Sequence, residues 1–273
     1  MTSRPHHGVS SWSPPTGPPV GWHDGDAGRQ FFDGRNWSDP APIVLPAGVG
    51  IGALVVLAAS LLVARLLVVV LEPVGVHVGV LVGLLILIGY GPPAWWCIWS
   101  VKRAVGPHWR SSIGWSFRGI DLAWGLLAWL GALIAQAVVI AVLISIDVPV
   151  TSNTGGLGDE GIPGWYVVAT SVAAVVAAPV VEELVFRGVV LSSLSPRLGR
   201  VGAVAVQGLL FGAVHADPMF GWSNVGLAIV LGTVGVVFGI VVELTGRLSP
   251  AIVAHAVFNG VVLIALFSGL VPG

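Results

Sequence analysis

From residue 46 onward, the chain alternates long apolar runs with short polar or glycine-rich segments. The runs are roughly 20 residues long, the length at which an α-helix crosses the hydrocarbon core of a bilayer. A backbone in lipid must satisfy its own hydrogen bonds, and runs of this length do so as helices. The pattern predicts an all-α, polytopic membrane bundle of about seven transmembrane helices. The predicted spans are 46–70, 74–100, 122–146, 165–194, 201–216, 224–244 and 249–269.

The composition agrees with a membrane protein and excludes several other classes. Of the 273 residues, 55% are hydrophobic and 9% are charged, and the mean hydropathy is +0.93. A soluble domain carries about 25% charged residues. The few basic residues cannot form a nucleic-acid-binding face, so we expect the lipid bilayer as a partner and no nucleic acid. The single cysteine, Cys97, excludes a disulfide framework and a cysteine-based metal cluster.

Residues 1–45 differ from the rest, because they are rich in polar residues, glycine and proline and contain no apolar run. The long polar start does not fit a cleaved leader, so a retained, flexible tail is expected. Two aromatic clusters, 21–24 and 31–37, flank an Asp-Gly turn. They resemble a short Trp-rich module found at the amino ends of bacterial membrane proteins. The segment predicts either a small hairpin or a disordered, sticky tail.

The basic residues predict the orientation of the bundle. They lie in the tail, in the loop after the second span, and beside the turns after the fourth and sixth spans, whereas the opposite connections contain none. Since cytoplasmic loops retain positive charge, we expect a cytoplasmic amino terminus. The residues counted are Arg4, Arg29, Arg35, Lys102, Arg103, Arg110, Arg118, Arg187, Arg197, Arg200 and Arg247.

Three isolated polar residues and two glycine runs are expected to serve helix packing. Arg65 is predicted to pair with Glu72 or to reach the interface, and His77 and Gln136 are predicted to form hydrogen bonds between helices. Small residues at regular spacing favour close helix contact, and they are Gly75, Gly79, Gly83, Gly235 and Gly239.

A second set of polar residues clusters in the last four predicted spans. At 1.5 Å per helical residue, Glu182 and His215 each lie roughly 22 Å from the nearest arginine-bearing boundary, and His255 and Asn259 lie at a similar depth. Residues four apart share a helical face, which predicts a Glu183–Arg187 ion pair and a contact between Phe211 and His215. The complete set is Glu182, Glu183, Arg187, His215, His255 and Asn259.

Such a set can support hydrolysis within a membrane. A glutamate beside a histidine can take a proton from water, and a second histidine with an asparagine amide can stabilise an oxyanion. The groups Glu182, Glu183, His215 and His255 could instead hold zinc, although the usual helical His-Glu-x-x-His spacing is absent. A polar network that only joins helices, a binding protein and a proton-coupled transporter remain alternatives.

Three motifs occur in order: Glu182-Glu183-x-x-x-Arg187, Phe211-x-x-x-His215 and His255-x-x-x-Asn259. Together they resemble the signature of the CAAX-processing and bacteriocin-processing (CPBP) intramembrane proteases. The resemblance covers roughly residues 122–269. We therefore expect an intramembrane protease core over 122–273, preceded by two accessory helices and a cytoplasmic loop over 46–121.

The resemblance implies a role for each residue of the set. It makes Glu182 and His215 the water-activating pair, makes His255 and Asn259 oxyanion or second-ligand groups, and gives Glu183 and Arg187 a supporting or ligand role. It implies a membrane-embedded or lipid-anchored protein or peptide as substrate. The residue usage is typical of a bacterial protein, which predicts the bacterial cytoplasmic membrane. A membrane binding protein or bacteriocin-immunity protein without proteolytic activity is the alternative.

Overall fold

The computed structural model describes residues 18, 21–25, 28–32, 44–71, 73–151, 164–216 and 223–269. The chain forms two compact units, residues 1–43 and residues 44–273. In the first unit, strands β1 (Gly21–Gly25) and β2 (Gly28–Phe32) pair antiparallel, with Trp22 opposite Phe31. The first aromatic cluster therefore lies in a hairpin. The segment 33–37, Arg4 and Glu72, the predicted partner of Arg65, lie outside the described residues.

The second unit is helical wherever the structure describes regular elements. A 3₁₀ turn, Gly106–His108, separates α2 from α3. Two π-helical segments, Ala173–Ala177 and Leu184–Leu191, join α5, α6 and α7 into one run. The helices are α1 (Ala47–Leu71), α2 (Val78–Val105), α3 (Trp109–Ser112), α4 (Asp121–Ser145), α5 (Gly164–Val172), α6 (Ala178–Glu183), α7 (Ser192–Val214), α8 (Ser223–Thr245) and α9 (Ser249–Phe267).

Six helices in the described ranges are long and apolar enough to cross a membrane. One of them, Gly164–Val214, is 51 residues long and contains both the fourth and the fifth predicted spans. At Gly199 its backbone leaves the helical region, with φ 69° and ψ 168°. The parts of this run before and after Gly199, its two limbs, pack against each other. The rings of Phe186 and Phe211, one on each limb, lie 5.2 Å apart. The prediction of about seven transmembrane segments is therefore confirmed.

Many large apolar side chains of the helices face outward, as expected of a multi-pass membrane protein. Leu87 in α2 is 67% exposed and Leu209 in α7 is 69% exposed. By contrast, Glu183, Arg187 and Gln207 are wholly buried. The bundle thus has an apolar exterior, and its largely apolar core also contains a few wholly buried polar side chains.

Several basic residues meet at one end of the bundle. Arg247 forms an ion pair with Asp121 at 2.6 Å, and this hydrogen bond raises the pKa of the Arg247 guanidinium. Asp121 also accepts from the Ser249 hydroxyl, which ties the start of α4 to the start of α9. Nearby, Arg197 donates to the Leu45 carbonyl at the start of α1. The side of the membrane that this end faces, and the division of the helical unit at residue 121, stay predictions.

Glycine packing holds α7 against α8. A Cβ on Gly212 would overlap the carbonyl oxygen of Ala228 in α8. A Cβ on Gly235 would lie 3.0 Å from the Cα of Gly208, so the predicted close contact at Gly235 is confirmed. A Cβ on Gly83, by contrast, would meet no atom of the described residues within 4 Å, so among these residues the predicted contact there is wrong. The apolar pattern of the sequence predicts helices at both Gly83 and Gly235. Only the packing of the folded bundle shows which of the two contacts a neighbouring helix.

The described contacts of His77 and Gln136 differ from the prediction that they form hydrogen bonds between helices. His77 Nδ1 accepts from the backbone N–H of Gly79 and so caps α2. Its ring also stacks on Trp165 of α5, with centroids 5.7 Å apart. The buried Oε1 of Gln136 has no hydrogen-bond partner among the described residues. His77 therefore serves the end of its own helix, because α2 begins directly after it.

Candidate active site

The six residues of the predicted set lie on elements that the Gly199 bend and the packing of α9 bring together. Glu182 and Glu183 end α6, and Arg187 lies in the second π-helical segment. His215 follows the last residue of α7, whereas His255 lies in α9. The π-helical geometry could not be predicted from apolar periodicity. Such segments are often found at functional sites, because they change the direction of side chains locally.

Glu183, Arg187 and His255 form a buried hydrogen-bonded chain. Arg187 Nη1 donates to Glu183 Oε1 at 2.8 Å, and both side chains have 0% exposure. The predicted ion pair is thus confirmed. The same carboxylate oxygen lies 2.8 Å from His255 Nδ1. A carboxylate paired with arginine is an acceptor, so His255 donates through Nδ1, and its Nε2 is left to face the cavity.

Arg187 has further contacts that fix the chain. Its Nη2 donates to the Gly235 carbonyl of α8 at 3.1 Å. Its guanidinium carbon lies 4.4 Å from the centroid of the Phe211 ring. The cation is therefore desolvated but paired, hydrogen-bonded and in contact with an aromatic face, which are the conditions a buried charge needs. Sequence spacing predicts the pairing of Arg187 with Glu183 but not its contact with α8.

Glu182 faces the two histidines. Its Oε2 lies 3.7 Å from His215 Nε2 and 3.9 Å from His255 Nε2, and it has no direct hydrogen-bond partner among the described residues. His215 Nδ1 lies 2.7 Å from the Phe211 carbonyl, which can only accept, so Nδ1 carries the proton. Both imidazoles thus direct Nε2 towards one carboxylate oxygen. The His215 ring packs on Phe211 with centroids 4.7 Å apart, which confirms the predicted contact.

Asn259 lies one turn after His255 on α9. Its Nδ2 donates to the Ala174 carbonyl at 2.7 Å, within the first π-helical segment. In that segment the N–H of Ala178 bonds the carbonyl of Ala173, five residues earlier. The wider turn displaces neighbouring carbonyls from the ordinary α-helical ladder. One amide hydrogen of Asn259 is thereby engaged, and the other remains as a donor.

These groups line a cavity of about 270 Å³. Glu182, His215, His255 and Asn259 provide its polar wall, while Glu183 and Arg187 lie behind His255 and outside the lining. Its lining residues are Tyr90, Ala174, Ala178, Glu182, Phe211, His215, Leu231, Val234, His255, Phe258, Asn259 and Val262. The cavity combines a carboxylate, two basic nitrogens and an amide with apolar walls, as a site for proton transfer in a water-poor environment requires.

Two polar residues near this site were missed by the sequence reasoning. Tyr90 of α2 lines the cavity, although it lies in an accessory span and no motif marks it. Gln207 is wholly buried in α7 and donates to the Gly235 carbonyl at 2.8 Å, the same oxygen that Arg187 binds. The signal for Gln207 was present, because an amide within a transmembrane run is uncommon.

The four groups that the sequence allows as zinc ligands are not all free to bind a metal in this structure. Within the described ranges, no three or more His, Cys, Asp or Glu side chains are arranged to hold a metal ion. Glu183 Oε1 already accepts from both Arg187 and His255. The donor atoms left facing the cavity are Glu182 Oε2 and two Nε2 atoms. These three atoms can take part in acid–base chemistry.

Comparison with known proteins gives a match over part of the chain. Residues 163–261 match the family model described as type II CAAX prenyl endopeptidase, Rce1-like. No curated protein and no solved structure matches the chain. The matched segment contains all six residues of the predicted set, whereas α1, α2 and Tyr90 lie before it. Residues 163–261, which include the cavity residues of α6, α7 and α9, are therefore similar to the CAAX protease family.

Proposed function

We propose that the protein is an intramembrane endopeptidase that hydrolyses a peptide bond of a membrane-associated protein or peptide. The observation that carries the proposal is the convergence of His215 Nε2 and His255 Nε2 on Glu182 Oε2. These groups lie in a polar cavity inside a bundle whose exterior is apolar. The match of residues 163–261 to a family of endopeptidases supports the same reaction.

In the proposed mechanism, Glu182 and His215 activate water together. The 3.7 Å between Glu182 Oε2 and His215 Nε2 is too long for a direct hydrogen bond. It suits a water molecule that donates to both acceptors. As the water oxygen attacks the carbonyl carbon, its proton passes to Glu182 or His215. The same proton is then delivered to the leaving nitrogen, so the C–N bond breaks with the charges balanced.

His255 and Asn259 are proposed to stabilise the developing oxyanion. Glu183 orients His255 through Nδ1, as the acid of a catalytic triad orients its histidine. A protonated His255 would present Nε2–H to the cavity, and Glu183 stabilises that cation. The free amide hydrogen of Asn259 provides a second donor. Donors that are fixed before the reaction commonly contribute a factor of about 10²–10³ to its rate.

The apolar exterior of the bundle indicates that the substrate reaches the cavity from the membrane. A peptide reaching this cavity must pass an apolar exterior, which favours a substrate embedded in or anchored to the bilayer. We place the protein in a bacterial cytoplasmic membrane, with the arginine-bearing end of the bundle on the cytoplasmic side. The orientation is supported by the absence of basic residues from the opposite connections of the sequence.

The test compares protein termini in membranes from cells that contain the wild type or Glu182→Gln at matched abundance. Glu243→Gln is the control, because it makes the same chemical change in a glutamate that pairs with Arg200 outside the cavity. New termini with the wild type and Glu243→Gln, but not with Glu182→Gln, are expected. They would also identify the substrate.

Identical termini in all three membranes would contradict the proposal. A binding or immunity function would then explain the site better, with the polar cluster acting as a link between helices. That reading expects Glu182→Gln to lower thermal stability while cells keep the phenotype that the wild type confers.

A further inference from the structure

A larger cavity adjoins the catalytic cavity on the side of α1 and α2. It measures about 600 Å³ and lies between these two helices, α5 and the first π-helical segment. Its walls include the apolar side chains of Leu61, Val68, Leu85 and Ile86 from α1 and α2, together with Arg65 of α1 and Thr170 of α5. Thr170 uses its hydroxyl to donate to the Tyr166 carbonyl, so the wall it contributes is largely apolar. We call this cavity the lateral groove.

The lateral groove and the catalytic cavity have two lining residues in common, Tyr90 and Ala174. Ala174 accepts the hydrogen bond of Asn259 at 2.7 Å. Tyr90 belongs to α2 and carries the one hydroxyl among the residues that line the catalytic cavity in the described part of the chain. The inner end of a largely apolar groove therefore lies beside the polar groups of the catalytic cavity.

The groove also opens towards lipid. Leu61 and Val69 line it and are nevertheless 39% and 62% exposed. Other sides of the site are closed by helix packing. A Cβ on Gly212 would overlap Ala228 between α7 and α8, and one on Gly125 would lie 2.5 Å from Val253 between α4 and α9. Among the described helices, the pair α1–α2 thus borders the open approach.

We propose that the lateral groove receives an apolar segment of the substrate polypeptide from the bilayer, and that Tyr90 binds that segment beside the scissile bond. The Tyr90 hydroxyl donates a hydrogen bond to a substrate carbonyl. This inference rests on the proposed protease function and assigns part of the substrate site to helices outside the matched segment.

A polypeptide fits this arrangement better than a lipid chain does. An extended peptide carries carbonyl and N–H groups that need partners in an apolar environment. Tyr90 supplies such a partner at the inner end of the groove, and Asn259 and His255 supply others in the adjoining catalytic cavity. An acyl chain would leave these polar groups unmatched, and burying them without a partner is unfavourable.

The first test is Tyr90→Phe, which removes the hydroxyl and keeps the ring. Tyr166→Phe is the matched control, since the chain has two tyrosines and Tyr166 lies outside the lining of both cavities. With purified protein and the substrate found by the terminus comparison, we expect Tyr90→Phe to lower kcat/KM about tenfold, as loss of one hydrogen bond would. Tyr166→Phe should match the wild type.

The second test fills the groove with Leu85→Trp. Leu87→Trp is its control, because Leu87 lies on the same helix, is 67% exposed and does not line the groove. Leu85→Trp should block cleavage of the membrane-embedded substrate but retain cleavage of a short soluble peptide that spans the same bond. Ile86→Trp replaces Leu85→Trp if thermal unfolding shows that the latter is not folded.

The outcomes separate the two proposals. If the wild type cleaves and Tyr90→Phe and the groove variant cleave equally well, the groove assignment is wrong and the protease function stands. If the wild type cleaves neither substrate, the protease function itself fails. If the groove variant instead changes only the dependence of the rate on the acyl-chain length of the vesicle lipid, the occupant is lipid and this inference is overturned.

Discussion

His215 Nε2 lies 3.7 Å from Glu182 Oε2, although the two residues stand on opposite limbs of the bend at Gly199. Neither side chain is placed by the sequence around it alone. The limbs are held together by the Phe186–Phe211 ring contact and by the glycine-mediated packing of α7 on α8. The acid–base pair thus depends on tertiary packing, and substitutions distant from the cavity can alter it.

Removing either member of the acid–base pair should abolish hydrolysis. We expect Glu182→Gln and His215→Ala each to lower kcat by at least about 10²-fold, because general-base catalysis typically contributes about 10²–10⁴-fold. The measurement is single-turnover cleavage by purified protein. In the wild type, the Glu243 carboxylate pairs with Arg200 at 2.5 Å outside the cavity, so Glu243→Gln should cleave at the wild-type rate. Wild-type rates for both cavity variants would exclude this mechanism.

Arg187→Met should destabilise the bundle by about 3–5 kcal/mol, since it leaves the Glu183 carboxylate buried without its cation. Thermal unfolding in detergent measures the effect. The double variant Glu183→Gln/Arg187→Met should recover much of the midpoint, because no buried charge remains unpaired. It should not recover activity, because His255 then lacks the carboxylate that orients it. Recovered activity in the double variant would show that the pair serves stability alone.

Cleavage should continue after treatment with a metal chelator. Glu183 is engaged by Arg187 and His255, and the described side chains offer no arrangement for a metal ion. Protein purified with chelator and assayed with and without added zinc should therefore cleave at equal rates. A rate that falls with chelator and returns with zinc would contradict this expectation and show that hydrolysis requires a metal, while Glu182→Gln would remain inactive in both conditions.

Asp121→Ala should lower the thermal midpoint more than Glu243→Ala does. Asp121 is buried and accepts from Arg247, Ser249 and the backbone N–H of Arg118, so its loss leaves several donors without partners. The Arg200 partner of Glu243 is 73% exposed, and exposed pairs contribute little. Thermal unfolding of both variants in the same detergent provides the comparison, and equal midpoints would refute the expectation.

Much of the helical architecture and of the site grouping could be predicted from the sequence. Apolar run length located the spans, and four-residue spacing predicted the Glu183–Arg187 ion pair and the Phe211–His215 contact. These features depend on residues close together in the sequence, so run length and residue spacing can predict them. The π-helical segments and the Ala174–Asn259 hydrogen bond were not predictable, because they depend on how separate helices pack. The position of Tyr90 in the cavity lining could not be predicted for the same reason.

Glycine positions show the same limit. Gly83 and Gly212 both lie in apolar helices, yet only Gly212 touches backbone of a neighbouring helix. Small-residue spacing predicts that helices can approach, not which of them do. The helix that packs against a glycine is determined by the fold of the whole bundle. The sequence alone therefore does not show that Gly83 and Gly212 differ in their contacts.

Gly212→Ala should therefore separate α7 from α8 and reduce activity. Its Cβ would overlap the Ala228 carbonyl and lie 2.7 Å from the Gly232 nitrogen, backbone atoms that cannot rotate away. We expect a loss of about 1–3 kcal/mol, as for other overpacked sites. His215 follows Gly212 within one turn, so the displacement should also lengthen its distance to Glu182 and lower kcat. Gly83→Ala is the control, because its Cβ meets no atom of the described part of the chain within 4 Å and alanine favours the helix. Thermal unfolding and single-turnover cleavage of both variants test the expectation, and a Gly212→Ala protein with the midpoint and rate of Gly83→Ala would refute it.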